Sequence, residues 1–431
     1  MSDTHAQTVP FVRDTMLPQA TPPSTAQGPV KWMRDSLFSS IPYTILTIAA
    51  LYAIYVLLSG FLPWLLGGVW TTSNIRECRE VLDGATGGCF SVLTERWNQL
   101  LFGIAYPQDG YWRPTLAFIL LFVAISPVLF AAVPRKLLIV TALYPFVAFW
   151  LIWGGSLLVP VAALISIGVG YTIYGKLVKT SFAGGLAAGV VAAAVVWFIA
   201  SFITPSLSGV LALEEVVSRN MGGFMLNMIL GVICVSLSLP LGIVLALGRQ
   251  SSLPIIKLIC VVFIEFIRGV PLITLLFVAN VVLAYFLPPG TNFDLILRVI
   301  IMITMFASAY IAEVIRGGLA ALPRGQYEGA ESLGLDYAQS MRLIILPQAL
   351  KISIPGIVNV AVGLFKDTTL VSIISMFDLV GMIRGPILAS TDWNGVYWEL
   401  WGFAAALFFV VCYGISQYSQ WLERQLQTDH R

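Results

Sequence analysis

Ten stretches of this chain run for about 17 to 29 residues almost without charge, long enough for a helix to cross the hydrocarbon core of a bilayer. They are 41–66, 115–133, 137–154, 157–175, 184–203, 224–247, a run from near 269 to 287, 295–311, 352 to about 380, and 397–421. Lipid offers no partner to a backbone N–H or C=O, so each run must bond within itself as a helix. The expected fold is therefore an all-α polytopic membrane protein of about ten transmembrane helices. The fourth run abuts the third and the ninth contains Lys366 and Asp367, which leaves a count between eight and ten. Composition agrees, because 58% apolar and 11% charged residues leave too little polar surface to cover a soluble fold.

A net charge of +2 argues against a nucleic-acid binder, and five cysteines in 431 residues against a disulfide scaffold. The two histidines, His5 and His430, stand at opposite ends of the chain, so no histidine metal cluster or Ser/His triad can form in the membrane region. No metal site and no catalytic constellation is expected.

Basic residues are retained on the cytoplasmic side. With the N-terminus inside and the spans alternating, 15 of the 24 Lys and Arg fall inside, and five, Arg76, Arg79, Arg96, Arg113 and Arg219, fall outside. The expected organisation is a mobile cytoplasmic tail over 1–36, an N-terminal extension of five spans over 37–204, and a core over 205–431 with both termini cytoplasmic. The outer loop 67–114 carries Cys78 and Cys89; an oxidising compartment would permit a disulfide there, the alternative being two unpaired small residues. Cys234, Cys260 and Cys412 lie in apolar runs and read as packing. In the extension, Gly185 and Gly189 stand at the spacing that lets two helices approach closely.

The most informative stretch is the polar interruption 313–351. Gln326 to Leu333 can form two helical turns with Tyr327, Ala330 and Glu331 on one face, and Gly334 supplies a stop. Asp336 can cap a second helix with Gln339 as capping-box partner, and Met341, Ile344 and Ile345 recur at helical spacing before Pro347 interrupts the ladder. Helix, sharp bend and helix is a rigid shape suited to receive force from another protein. An ordinary amphipathic loop on lipid is the alternative from this physics alone.

At these residues a resemblance becomes specific. Glu328-Gly329-Ala330, then Gly334, Ile344, Leu346 and Pro347, is similar to the EAA motif of ABC-importer permeases. Glu265 to Leu272, Ala309 to Gly318 and Lys366 to Ser372 resemble the signatures of the polar amino acid branch, and the five extra N-terminal spans resemble the M-type membrane subunit of general L-amino-acid transporters. The resemblance implies a five-helix type I permease core. It also implies a second permease subunit as heterodimer partner, two cytoplasmic ATPases and a periplasmic amino-acid-binding protein. ATP and magnesium would sit on the ATPases, with no cofactor on this chain. Tyr327, Glu328, Gly329, Ala330 and Gly334 would then form the coupling site; Gly329 replaces the family's usual alanine, which costs a helix interior about 1 kcal/mol. An intrinsic ATPase is not expected: Gly170 to Lys176 has Walker-like spacing, but Leu177 stands where a Ser or Thr would hold magnesium, and no strand precedes it.

Charges inside apolar runs are costly and point to function. Glu265 with Arg268, and Glu313 with Arg316, are three residues apart and can neutralise each other locally; gating is their alternative, with Gly269 and Pro271 as a hinge. Lys366 and Asp367 are adjacent and cannot face each other, so each needs a separate partner. Together with Asn280, Tyr310, Asn359 and Thr368 they are the candidates for the translocation path, with packing or helix contact as the alternative for each. Rival readings of the whole chain are a secondary transporter or channel, and a membrane scaffold subunit.

Overall fold

The computed structural model describes residues 28–179, 181–204, 209, 211–282, 285 and 293–427. The chain divides into two units, Met1–Gly68 with Gly84–Gly88 and Val69–Asp83 with Cys89–Arg431. In the first, the short turns Pro29–Trp32 and Met33–Leu37 stand where the end of a mobile tail was expected, and the rest of that tail lies outside the described residues. Helix α1, Ile41–Leu66, follows. Pro42 lies in the first turn, where its missing N–H has no partner to lose, whereas Pro63, inside the last turn, removes one helical hydrogen bond.

The second unit opens with a lobe of short helices, α2 (Ile75–Leu82) and α3 (Trp97–Phe102), so the expected outer loop is largely ordered. Two hairpins of apolar helices follow: α4 (Trp112–Leu129) with α5 (Leu138–Trp153), and α6 (Leu158–Leu177) with α7 (Phe182–Ile203). In the second hairpin a Cβ on Gly170 would lie 2.7 Å from the Gly189 carbonyl oxygen, so the backbones touch as the glycine spacing predicts. The Walker-like run is thus part of a helix contact. The expected boundary near 205 falls on residues outside those described.

The remaining elements are α8 (Gly223–Arg249), α9 (Pro254–Gly269), α10 (Leu272–Phe277, prolonged by a π turn to Val282), α11 (Leu295–Ala320), α12 (Arg324–Ser332), α13 (Tyr337–Ser340), α14 (Leu346–Asp367) and α15 (Tyr397–Gln427). Helices α8 and α11 run side by side in the same direction: Gly242 packs on Ile311, and the Cys234 thiol donates to the Ile300 carbonyl at 3.7 Å. Helix α14 returns between them, with the Ser353 hydroxyl donating to the Val314 carbonyl at 3.4 Å and Phe365 filling the space beside Gly231.

Among the described residues nine helical elements are long and apolar enough to cross a membrane, and ten if the α9–α10 pair, bent by 102°, is counted as one span. Three expected boundaries are corrected. The seventh span begins at Pro254, not near Gly269; charges at Lys257, Glu265 and Arg268 conceal its first half, and Val270 is extended because Pro271 follows it. The eighth continues through Glu313 to Ala320. The ninth is continuous from Tyr337 and ends in a 3-10 segment, Thr368–Ile374, before Val380. Pro347 does not break it: the Leu346 N–H reaches back five residues to the Met341 carbonyl, and the widened turn Met341–Ile345 carries the chain into α14.

The two ends of this unit are built differently. At one end Cys78 and Cys89 form a disulfide with Cα atoms 6.0 Å apart. The lobe it staples is fixed to the core by the Ile75 N–H on the Asp392 carbonyl at 2.8 Å and the Cys89 N–H on the Glu399 carboxylate at 2.9 Å. Gly103, at φ +92°, lies so close to Gly222 that a Cβ would come within 2.7 Å of its Cα. Arg113, assigned from the sequence to an outer loop, is instead buried in α4; its Nε and Nη1 donate to the carbonyls of Leu151 and Glu214 at 2.8 and 2.9 Å. At the other end lie Arg249, the end of α11 and the α12–α13 bend.

Candidate functional site

The α12–α13 bend forms as its sequence predicts. Gly334, at φ +70°, closes α12: its N–H donates to the Glu331 carbonyl at 2.9 Å, and the Leu335 N–H reaches the Ala330 carbonyl at 3.2 Å. These two bonds are those of the Schellman stop. The Asp336 carboxylate accepts from the Gln339 N–H at 2.8 Å while the Gln339 side chain accepts from the Asp336 N–H at 3.1 Å, completing the capping box. Ala330 is fully buried, and Tyr327 is half-buried against the cluster of Ile311, Ile315, Leu319 and Ile345. Glu331, expected on that face, is exposed. Glu328 and Gly329 face outward, and Leu333 is 75% exposed.

Sequence reasoning missed the tie that holds this ledge to the membrane helix: the Gln348 amide donates at 2.9 Å both to the Gln326 side chain and to the Ile344 carbonyl. Beside it is an apolar hollow of about 380 Å³ lined by Leu247, Tyr337, Met341, Leu346 and Leu350. The result is a rigid, outward-facing pair of helices continuous with α14.

Above the ledge the charged residues do not form two separate pairs. Arg316 grips Glu313 with Nε at 3.0 Å and Nη2 at 2.6 Å. Arg249, which sequence reasoning counted only as a topological charge, donates to Glu265 at 2.7 Å and lies 3.5 Å from Glu313. Arg268 stands 3.9 and 3.7 Å from Glu265 and Glu313 and lies over the Tyr310 ring, 5.6 Å from its centroid. One network thus joins the ends of α8, α9 and α11. Gly269 ends α9 in open space and Pro271 caps α10, so the bend directly follows Arg268.

The proposed path residues are not gathered into one site. Thr368 is buried, accepting from the Asn227 amide at 3.0 Å, whereas its neighbour Lys366 is exposed. Successive residues point about 100° apart on a helix, so one run cannot send all its polar groups to one place. Among the described residues neither Lys366 nor Asp367 has an ion-pair partner within 4 Å. Asn280 donates to the Ile374 carbonyl at 3.5 Å, and Asn359 is exposed on α14.

A buried polar knot was not foreseen at all. Asn227 donates to the Asp378 carboxylate at 3.1 Å and accepts from the Leu379 N–H at 3.1 Å, while Asp378 also accepts from the Gly381 N–H at 2.9 Å. Burial pushes the Asp378 carboxyl up to about 6, against the opposing pull of the Gly381, Asn227 and Val380 donors. This knot locks the start of α8 to the turn after α14. Only the proximity of residues 151 apart in sequence reveals it.

Membrane-length helices, a charged network at one end and an exposed bent pair there place this chain among integral membrane proteins of the permease class. Residues 238–422 match the family described as binding-protein-dependent transport system inner membrane component. Over its whole length the chain is 51% identical, across 442 residues covering 100% of both proteins, to the glutamate/glutamine/aspartate/asparagine transport system permease protein BztC of Rhodobacter capsulatus. It is 36% identical over 92% of its length, and 93% of the relative's, to the inner membrane amino-acid ABC transporter permease protein YhdY of Escherichia coli. To the probable glutamine ABC transporter permease protein GlnP of Bacillus subtilis it is 31% identical, over 47% of this chain and 90% of that one. The chain belongs to the family of amino-acid ABC transporter permeases.

Proposed function

We propose that this chain is one permease subunit of an ATP-driven importer of L-amino acids with a broad substrate range. It would act beside a second, different permease subunit, two cytoplasmic ATPases that hold ATP and magnesium, and a periplasmic amino-acid-binding protein. The observation that carries this reading is the exposed, Schellman-capped bend at Gly334, held rigidly to α14 through Gln348. A cleft in an ATPase that takes α12 would meet Glu328 and Gly329 directly, with Tyr327 and Ala330 bracing them from behind. Displacement of such a ledge passes into α14 without a flexible joint.

The orientation follows from chemistry. Disulfides persist in oxidising compartments, so the Cys78–Cys89 lobe faces the periplasm and the ledge, at the opposite end of α8 and α11, faces the cytoplasm. The five-charge network at Arg249, Glu265, Arg268, Glu313 and Arg316 lies between ledge and bend. It is the gate: half-exposed pairs across three helices exchange partners at small cost when those helices rock.

Replacing Gly334 with leucine tests the coupling step, because a side chain at φ +70° strains the stop while open space surrounds it. The expected result is a membrane-inserted permease with loss of ATPase co-purification and of uptake. Normal uptake by that variant would remove the ledge from the mechanism.

A further inference from the structure

The gate network contains three guanidinium groups and two carboxylates, and its surplus cation can be assigned to one residue. Glu313 accepts from Arg316, at 2.6 and 3.0 Å, and Glu265 accepts from Arg249 at 2.7 Å. Arg268 is left with both carboxylates beyond hydrogen-bond distance, at 3.7 and 3.9 Å, and both approach the same Nη1. Its Nε is buried with no hydrogen-bond partner. Among the described residues it is the one arginine of this network that holds no hydrogen bond.

The setting suits an anion. Tyr310 lies beneath the guanidinium, and the neighbouring cluster of Ile267, Leu275 and Ala309 is buried and apolar, which strengthens electrostatic attraction. Arg268 keeps 31% of its side chain exposed, so an anion can reach it. An arriving carboxylate meets Nη2, and a small rotation of the side chain brings Nε to its second oxygen. That two-point pairing is one a guanidinium makes and an ammonium does not.

We infer that Arg268, backed by Tyr310, is the seat for the α-carboxylate of the amino acid in transit. A lipid phosphate offers a guanidinium the same paired oxygens, and the test below separates the two sources. The α-carboxylate is common to every amino acid, so a seat for it serves a broad range of side chains. It also couples load to gate, since the ligand competes with Glu265 and Glu313 for the same guanidinium and loosens the network as it binds. The inference rests on the importer reading above and deepens it.

The test uses the assembled complex, without the binding protein, in nanodiscs of neutral lipid. Equilibrium binding of radiolabelled L-glutamine is compared with competition by L-glutaminamide, which lacks the carboxylate. Wild type is expected to bind glutamine saturably and to reject the amide. Arg268→Gln is expected to weaken glutamine binding by about ten- to a hundredfold and to erase discrimination against the amide, with Arg268→Lys between the two. Lys257→Met, which removes a cation from the same helix, should bind as wild type. Equal affinity in Arg268→Gln, equal binding of glutamine and amide by wild type, or an equal loss in Lys257→Met would overturn the assignment. So would displacement of glutamine by added phosphatidylglycerol. ATP-driven uptake by wild-type proteoliposomes reports on the importer reading separately, so the two can fail independently.

Discussion

The polar knot of Asn227, Thr368 and Asp378 and the ionic network of Arg249, Glu265, Arg268, Glu313 and Arg316 both join helices that are distant in sequence, by opposite means. In the knot every member is fully buried, and its donors and acceptors are matched at 2.7–3.3 Å. In the network the side chains are 23–52% exposed, and one carboxylate is shared among three cations at 2.6, 3.5 and 3.7 Å. Losing a partner in the first strands polar groups in a low-dielectric interior, whereas losing one in the second leaves charges that water and alternative partners can satisfy. The knot is a joint that stays shut; the network is one that can exchange.

The sharpest way to break this contrast is Asn227→Leu, which orphans Asp378, Thr368 and the Leu379 N–H together. It should lower unfolding stability by roughly 3–5 kcal/mol, read as a large fall in melting temperature or failure to accumulate in the membrane. A shift comparable to that of a surface substitution would show that the knot is not closed.

The second effect is a pH dependence. The Asp378 carboxyl titrates at about 6 in the folded chain against 3.8 ordinarily, so the folded state takes up this proton first. The contribution of Asp378 to stability should therefore be greatest below about pH 4 and fall by roughly 3 kcal/mol as pH rises to about 6, then level. Asp378→Asn should flatten that component of the melting profile; an unchanged slope would assign it to other groups.

Opening the disulfide with Cys78→Ser should release a loop of 11 residues' separation and cost about 2–3 kcal/mol. Proteolytic sensitivity over 69–103 checks this, and an unaltered digestion pattern would show that the contacts at Asp392 and Glu399 hold the lobe alone. The smallest stability effect belongs to Arg249→Gln. Loss of a half-exposed pair should move stability by less than about 1 kcal/mol while uptake falls severalfold. A large destabilisation would make the network a structural joint like the knot.

The contrast also explains what could be read in advance. Local features were legible: the α12 stop at Gly334, the capping box at Asp336 and Gln339, the glycine contact at Gly189 and most apolar spans depend on residues a few positions apart. The helix 254–269 was concealed because its charges interrupt the apolar run, although Glu265 and Arg268 pair with other helices. Arg249 gave no local signal because its partners are 16 and 64 residues away. The translocation candidates Lys366, Asp367 and Thr368 were grouped by adjacency, which a helix converts into divergence.

The sequence by itself determined that this chain is a bundle of membrane helices with a bent ledge, because hydropathy and capping act over a few turns and need no distant partner. Which polar groups meet was decided by the tertiary structure alone. Ion pairs, the Asn227–Asp378 bond and the lone position of Arg268 depend on how helices are packed in space, and electrostatic energy follows distance between atoms rather than distance along the chain.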